Sequence, residues 1–287
     1  MQREFKDCLI LLRFHFSVFL LPTFFFAWSQ VNTVNRQHLL LVFIIMHLLV
    51  YPASNGYNSY MDRDTGSIGG LEKPPPPNKL LFFITVIMDV AAILLSLLVN
   101  VFFTTGILVY IACSRAYSYR GIRLKKYPVA GFLTVFIIQG AVTFYTIFKG
   151  INQFPEMNPP LACMAISSLL IGALYPLTQI YQHEEDKQDG VTSISFKLGY
   201  RGTFIFSAVQ FIVAGIVLYL YYSKQNQIAF FYVFSVALLP SVAYFFYWAV
   251  QVFKDPAAAN FKRSYWMNII ASLCTNAAFI LITIFKN

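Results

Sequence analysis

The chain has 287 residues, of which 58% are hydrophobic and only 11% are charged. Ordinary soluble domains carry about 25% charged residues, so this composition excludes an ordinary soluble protein and indicates several membrane spans. The net charge of +9 does not require nucleic acid, because an excess of Lys and Arg in cytoplasmic loops explains it. The four scattered cysteines form no Cys-x-x-Cys motif, which argues against a disulfide framework or a zinc site.

Nine apolar segments are the most economical count of membrane-spanning helices, and we expect residues 1–287 to form one all-α membrane domain. Only Val99 and Asn100 separate the third segment from the fourth, so a tight helical hairpin and a re-entrant segment are both open there. The predicted spans are 8–30, 37–55, 79–98, 100–114, 128–149, 161–181, 202–222, 228–252 and 266–285.

The distribution of Lys and Arg between alternate loops predicts the orientation of the chain. If the N-terminus is cytoplasmic, the segments on that side hold sixteen Lys or Arg residues and the opposite side holds four. Such a bias fixes orientation by the positive-inside rule. Three unusual loops, after the second, fourth and sixth spans, then lie together on the cytoplasmic face of what we expect to be a bacterial inner membrane.

The first unusual loop carries amide and carboxylate groups directly after the second span. If the helix continues, Asn55, Asn58 and Asp62 fall on one face, and Asp64 is turned away unless the helix ends first. A solvated helix end is the alternative interpretation of these side chains.

The second unusual loop, residues 114–127, interleaves five cations with three tyrosines. Anionic lipid headgroups are a simple partner for such a loop, and phosphate groups of a bound substrate are the other. The cations are Arg115, Arg120, Arg123, Lys125 and Lys126.

The third unusual loop, residues 182–190, holds four of the twelve carboxylates of the chain. In a continued helix, Gln182, Asp186 and Asp189 share a face, and the carboxylates repel each other. A bound divalent cation reverses that repulsion, and oxygen-only ligands suit Mg²⁺. His183 is interpreted as a bystander because no regular set of His and Cys accompanies it.

Carboxylates and cations on one membrane face together predict a site for a magnesium–diphosphate complex. The carboxylates would bind the metal, the metal would bridge phosphate oxygens, and Arg and Lys would neutralise the remaining charge. The spans are rich in Phe and Tyr, which could surround a long apolar tail.

These motifs, in this order, resemble those of the UbiA family of intramembrane prenyltransferases. Residues 58–64 are similar to the family's first motif, Asn-Asp-x-x-Asp-x-x-x-Asp, and residues 182–199 are similar to its second, Asp-x-x-x-Asp-x-x-x-Gly with a closing Leu-Gly. Residues 117–126 resemble the basic loop between them, and residues 11–17 resemble the usual opening of the first helix. The resemblance covers nearly the whole chain.

The resemblance implies nine transmembrane helices around a central cavity and transfer of an isoprenyl group from its diphosphate to an acceptor, usually aromatic. It implies Mg²⁺ as cofactor, with Asp62 and Asp186 as catalytic residues. The metal ligands expected on this basis are Asn58, Asp62, Asp64, Gln182, Asp186 and Asp189. The residues expected to bind diphosphate are Asn58, Arg123, Lys125, Lys126 and Arg115.

Three of the five aspartates in the family pattern are replaced in this chain, by Ser59, Gly66 and Gln182. A shift of a turn or less would let neighbouring carboxylates compensate. The candidates are Asp64, Glu184, Glu185 and Asp189. The replacements favour a second hypothesis, in which the chain binds a prenyl lipid or quinone without transferring it.

Asp89 is an isolated carboxylate about ten residues into the third span, roughly 15 Å from its start at 1.5 Å per residue. Carboxylates inside a membrane are costly, so we predict a functional role in acceptor binding or as a general base, with a structural ion pair as the alternative. The expected partners are Arg13, His15 or His47. A small transporter that uses Asp89 for coupling is a third hypothesis, disfavoured because the chain has no obvious internal repeat.

Overall fold

The computed structural model describes residues 2–286, and these residues form a bundle of helices. Within this range, nine helices are long and apolar enough to cross a membrane, and a tenth, α7, is short. The prediction of an all-α membrane protein with nine spans is confirmed. In chain order the helices are α1 (Gln2–Gln30), α2 (Arg36–Asp62), α3 (Lys79–Ser96), α4 (Val101–Ser118), α5 (Pro128–Ile151), α6 (Leu161–Gln179), α7 (His183–Gln188), α8 (Ile194–Lys224), α9 (Ile228–Lys254) and α10 (Phe261–Lys286).

The spans α3 and α4 form a tight helical hairpin. Each has 18 residues, which is about 27 Å of helix at 1.5 Å per residue. Only residues 97–100 join them, and the side chain of Asn100 caps α4 by accepting a hydrogen bond of 2.9 Å from the backbone N–H of Phe103. The hairpin, rather than a re-entrant segment, is therefore the structure of this region.

Several spans are interrupted at positions that shape the interior of the bundle. Helix α1 breaks at Arg13, which has a left-handed φ of 49°, and continues as a 3-10 helix over Phe14–Leu20. Helix α5 contains a π turn over Phe136–Val142, and the hydroxyl of Ser168 on α6 accepts a 2.9 Å hydrogen bond from the backbone N–H of Ala141 in that turn. Such π turns are frequent at functional sites.

The aromatic side chains predicted from composition pack the half of the bundle away from the unusual loops. Phe26 of α1 stacks on Phe279 of α10 with ring centroids 4.3 Å apart, and Phe144 of α5 meets Phe26 edge to face at 5.0 Å. Packed aromatic pairs of this kind stabilise a core beyond the area that they bury. This core closes the bundle at that end and leaves the other end to the loops.

The helices before the first and third unusual loops end differently. Helix α2 continues to Asp62 as predicted and ends at Arg63, whose φ is 56°. Residues 182–189 do not continue α6, which ends at Gln179; the separate short helix α7 begins at His183. Asp189 follows α7, and Gly190, with φ 65°, then turns the chain. The backbone N–H of Asp189 donates a 3.0 Å hydrogen bond to the carbonyl of Glu185, so Asp189 ends the short helix three residues after Asp186.

Candidate functional site

The three unusual loops converge on one cavity at the end of the bundle where α2, α4 and α6 terminate. Its empty space, including the open mouth, is about 1400 Å³. The cavity brings together half-buried and buried groups that are far apart in the sequence. The predicted site residues that line it are Asn58, Asp62, Asp64, Lys125, Gln182 and Asp186.

Asp62 is the most buried carboxylate of this cavity, with only 6% of its surface exposed. The Nζ atom of Lys125 lies 2.5 Å from its Oδ2 atom, and Nη2 of Arg123 lies 3.7 Å from its Oδ1 atom. Neither contact has the geometry of a hydrogen bond, and both carboxylate oxygens accept none. Burying carboxylate oxygens that accept no hydrogen bond costs free energy. A ligand that binds these oxygens would recover part of that cost.

Arg123 and Arg120 connect the basic loop, which is the second unusual loop, to the first and third unusual loops, called here the first and second acidic loops. Arg123 pairs with the carboxylate of Asp189, and Arg120 lies 3.7 Å from the same carboxylate. Arg120 also donates hydrogen bonds to the last two carbonyls of α2, those of Met61 and Asp62, at 2.7 and 3.1 Å. A cation in this position satisfies helix-end carbonyls and complements the helix dipole.

Asp64 and Asp186 lie on opposite acidic loops and share one electrostatic environment. Burial, followed by the negative charge of Asp62, raises the pKa of Asp64 to about 6. Burial also raises the pKa of Asp186 to about 6, against a hydrogen bond from Ser193 and the charge of Lys125, which lower it. Asp64 lines the same cavity as Asp62 and Asp186, which agrees with the sequence analysis for a helix that ends before it, as α2 does at Asp62.

Two side-chain amides contribute neutral oxygens to the same cavity. Asn58 donates a 3.0 Å hydrogen bond through Nδ2 to the hydroxyl of Ser118, and Gln182 donates a 3.0 Å hydrogen bond through Nε2 to the carbonyl of Ser67. In both amides the nitrogen is thus engaged while the oxygen accepts no hydrogen bond among the described residues.

The donor set fits Mg²⁺ bound together with phosphate better than Mg²⁺ alone. Carboxylate and amide oxygens are the ligands that Mg²⁺ takes, and in phosphate sites it uses one or two carboxylates plus phosphate oxygens and water. Among residues 2–286, no group of three or more His, Cys, Asp or Glu side chains is arranged to hold a metal by itself. The orphaned oxygens of Asp62 provide the position where such a complex would bind.

Five of the predicted site residues lie outside the cavity lining, namely Asp89, Arg115, Arg123, Lys126 and Asp189. Lys126 is exposed, and Asp189 is engaged by arginines. The partners predicted for Asp89 are wrong: Nε of Arg115 donates a 2.8 Å hydrogen bond to its Oδ2 atom. Arg115 also lies over the ring of Tyr57 at 3.8 Å, so this pair joins α3, α4 and α2.

Arg13 is a cavity residue whose site role the sequence analysis did not assign. It is 5% exposed and donates 3.0 Å hydrogen bonds to the carbonyls of Asn55 and Gly69, while its Nε has no partner. The sequence could have indicated this position, because an arginine inside an apolar span costs free energy and usually faces the interior of the bundle. Arg13 adds positive charge to a cavity wall that also includes Lys125.

A hydrogen-bonded tyrosine pair forms another part of the cavity wall. The hydroxyls of Tyr117 on α4 and Tyr175 on α6 are 2.5 Å apart, and Gln179 donates a 2.9 Å hydrogen bond to the Tyr175 hydroxyl. Deeper in the bundle, Tyr110 and Gln139 line the cavity, the latter within the π turn of α5. The cavity is therefore charged at its mouth, and aromatic with hydrogen-bonding groups below.

Comparison with known proteins identifies relatives over nearly the full length of the chain. The model of the UbiA prenyltransferase family matches residues 19–271. The comparison with curated proteins gives no significant match.

Solved structures of low sequence identity share the fold. A UbiA homolog from Archaeoglobus fulgidus bound to DMAPP and Mg²⁺ is 18% identical, with a TM-score of 0.73 over 97% of this chain and 99% of that one. A digeranylgeranylglyceryl phosphate synthase is 19% identical, with a TM-score of 0.63 over 98% of this chain and 99% of that one. The apo structure of a UbiA homolog from Aeropyrum pernix K1 is 15% identical, with a TM-score of 0.69 over 94% and 98%.

Proposed function

The chain belongs to the UbiA prenyltransferase family, and on that premise we propose that it is an active membrane enzyme that uses Mg²⁺ and a prenyl diphosphate. In the proposed reaction the bond between C1 of the prenyl group and the diphosphate oxygen breaks, and the diphosphate leaves with the electron pair. A lipophilic, aromatic acceptor forms a new bond to C1 and loses a proton.

One observation carries this proposal: a single cavity joins carboxylates from two loops to a lysine from a third. Asp62 provides the buried oxygens, Asp186 faces it from the other acidic loop, and Lys125 supplies the positive charge between them. A site for a cation alone would not need Lys125, and a site for an anion alone would not need the carboxylates. Both are needed for a metal–diphosphate complex.

Different residues would bind the metal and the phosphate groups of the complex. Asn58, Asp62 and Asp186 would hold Mg²⁺, whose positive charge, when bound, neutralises the departing diphosphate. Lys125 and Arg123 place positive charge beside Asp62. Phosphate oxygens would compete with the carboxylate of Asp62 for these two cations. Charge already positioned in a site of low polarity stabilises a leaving anion without further rearrangement.

The apolar part of the cavity is suited to the prenyl chain. A small, mainly apolar cavity adjoins the first, and the two share Phe19, Ile171 and Leu174 in their walls. Two solved relatives, the A. fulgidus homolog bound to DMAPP and Mg²⁺ and the same homolog bound to GPP and Mg²⁺, support a prenyl diphosphate as the ligand class. The hydroxyls of Tyr117 and Tyr175 border the path between diphosphate and apolar wall.

We further propose that the N-terminus and the three loops face the cytoplasm of a bacterial inner membrane. The sixteen-to-four distribution of Lys and Arg supports this orientation. A water-soluble diphosphate could then reach the open mouth of the cavity directly, while an acceptor dissolved in the membrane would enter between helices.

The test is binding and turnover of geranyl diphosphate by the purified full-length protein in lipid nanodiscs. We expect tight binding that requires Mg²⁺ and is lost in Asp186→Ala, and transfer of the labelled geranyl group to at least one compound of a panel of phenols and quinone precursors. Glu184→Ala is the matched control, because Glu184 lies two residues away on the same helix and is exposed. Magnesium-dependent binding that is the same in Asp186→Ala as in the wild type would contradict the proposal.

A second candidate function is binding of a prenyl lipid or quinone without transfer. It is favoured by the observation that no three metal-ligating side chains in residues 2–286 are arranged to hold a metal alone. This function predicts equal binding with and without Mg²⁺ and no transfer to any acceptor. The same assay therefore separates the two functions.

A further inference from the structure

The small apolar cavity that adjoins the main one differs from it in charge. The wall of the main cavity includes Asp62, Asp186 and Lys125, whereas no charged side chain of the described residues lines the small cavity. Burying charge in such an apolar space costs free energy, while burying hydrocarbon there is favourable. A ligand with a charged head and a hydrocarbon tail would therefore direct its tail toward the small cavity.

Hydroxyl groups in the wall of the small cavity do not make it polar. Ser167, Ser272 and Thr275 line it, and each donates its hydroxyl hydrogen to a backbone carbonyl, at 3.3, 3.0 and 2.6 Å respectively. A hydroxyl that is bonded in this way no longer needs water or a polar ligand. The wall is thus suited to hydrocarbon.

Two stacked phenylalanines form the floor of the small cavity. Phe26 is the last residue of α1 that lines it, and Phe279 is the last residue of α10. Their ring centroids are 4.3 Å apart, and both side chains are buried. Behind them, Phe144 packs edge to face on Phe26, and Phe234 packs on Phe279 with centroids 5.3 Å apart. The floor is therefore supported by a packed aromatic core.

The depth of this floor determines how long a tail fits above it. Arg13 lies at the charged end of the path, because it lines the main cavity and donates a hydrogen bond to the carbonyl of Gly69 in the first acidic loop. From Arg13 to Phe26, the 3-10 segment rises about 2.0 Å per residue and the α-helical segment about 1.5 Å, which gives about 23 Å. An isoprene unit adds four carbon–carbon bonds, or about 5 Å in an extended chain. A geranylgeranyl group, with four units, reaches the floor.

We propose that Phe26 and Phe279 are specificity-determining residues that exclude prenyl diphosphates longer than geranylgeranyl diphosphate. The inference rests on the proposed function, since the tail belongs to the ligand of the same site. Packed interiors resist added volume, so a longer chain would have to displace the two rings or leave the bundle between helices.

The experiment is competition of unlabelled prenyl diphosphates with labelled geranyl S-thiolodiphosphate, which is not transferred, on the purified full-length protein in nanodiscs with Mg²⁺. For the wild type we expect the affinity to increase from geranyl to geranylgeranyl diphosphate, because each unit buries more apolar surface. We expect octaprenyl diphosphate to bind at least tenfold more weakly than geranylgeranyl diphosphate. Equal binding of these two compounds would overturn the proposal.

Alanine variants test the two rings directly. Phe26→Ala and Phe279→Ala open the floor, and we expect each to strengthen binding of octaprenyl diphosphate at least tenfold while changing that of geranyl diphosphate less than threefold. Phe24→Ala is the matched control, because Phe24 is also buried in α1 but packs against Phe43 and His47 and does not line the small cavity. An equal gain in Phe24→Ala would show a general loosening of the bundle and overturn the assignment.

A variant that narrows the small cavity should have the opposite effect. Thr275 lines the cavity one helical turn before Phe279, on the same face of α10. Thr275→Phe is expected to weaken binding of geranylgeranyl diphosphate at least tenfold and that of geranyl diphosphate less than threefold. Melting temperatures of all variants, measured in parallel, confirm that they are folded. Equal losses for the two compounds would contradict a limit on chain length.

The outcomes separate this inference from the proposed function. If the wild type binds geranyl S-thiolodiphosphate with Mg²⁺ but does not discriminate between chain lengths, the floor is not a limit and the proposed function stands. If the wild type does not bind the geranyl analogue at all, the proposed function fails and the inference fails with it.

Discussion

The Nζ atom of Lys125 lies 2.5 Å from the Oδ2 atom of Asp62, in a chain where the two residues belong to different loops. This contact places the cation of the basic loop on the carboxylate that is expected to bind metal. A bound metal–diphosphate complex would separate the two, with Asp62 turning to the metal and Lys125 to a phosphate oxygen. The pair therefore links the basic loop to the end of α2.

Replacing Lys125 with alanine should weaken binding of geranyl diphosphate about 10- to 100-fold, the usual cost of losing a hydrogen bond to a charged group. Isothermal titration calorimetry with saturating Mg²⁺ measures the effect. Lys126→Ala is the control, since Lys126 is exposed and lies outside the cavity lining, and it should change the affinity less than threefold. Equal effects of the two variants would mean that diphosphate responds only to the total charge of the loop.

Metal affinity should fall as the pH is lowered from 7.5 to 5.5. The pKa values of Asp64 and Asp186 are raised to about 6, so protons compete with Mg²⁺ for these carboxylates within this range. We expect the decrease to reach about tenfold per pH unit for each carboxylate below its pKa. Mn²⁺ titrations at several pH values measure it, and Asp64→Asn should flatten the profile. A profile that stays flat in the wild type would contradict this assignment.

The metal-free protein should respond to pH in the opposite direction. Because the pKa of each of these carboxyls is higher in the folded state than in the unfolded chain, the folded state binds more protons between about pH 4 and 6. Their contribution to stability therefore increases as the pH falls through 6. Melting temperatures with and without Mg²⁺ at pH 7.5 and 5.5 should show the stabilisation by Mg²⁺ shrinking at the lower pH.

The pair of Asp89 and Arg115 should govern stability rather than ligand binding. Asp89→Asn leaves the guanidinium unpaired inside the bundle, and we expect a loss of about 3 kcal/mol in the free energy of unfolding. The double variant Asp89→Asn with Arg115→Met should be less destabilised than Asp89→Asn alone, because it leaves no unpaired charge. Unfolding in denaturing detergent measures both. An Asp89→Asn variant that is stable but binds no acceptor would instead support the predicted functional role of Asp89.

His183 should anchor α7 to α8. Its Nε2 atom is 2.8 Å from the hydroxyl of Ser195, and its ring stacks on Tyr200 with centroids 4.9 Å apart. Replacement by alanine removes both contacts, for which we expect a loss of about 1–2 kcal/mol of stability. Thermal unfolding is the measurement, with His15→Ala as the control, because His15 is exposed. Unchanged stability in His183→Ala would show that α7 is held by other contacts.

The second acidic loop illustrates which features of the site could be predicted from the sequence and which could not. The residue types of this loop led to the prediction of a cation site, which stays a prediction. The contacts of its side chains with other loops, Asp189 with Arg123 and Glu185 with Gly66, were not predicted. Helix periodicity relates side chains within one helix, but it does not give the partner of a side chain in another segment.

The nine spans and the positions of the three loops could be predicted from the sequence, because hydrophobicity and charge are properties of consecutive residues. The sequence also indicated that Asn58 and Asp62 face one way. The tertiary structure decided which cation pairs with which carboxylate: Arg115 with Asp89, 26 residues away, and Arg123 with Asp189, 66 residues away. Coulomb energy falls with distance in space, and the folded bundle sets those distances between segments that the sequence leaves far apart.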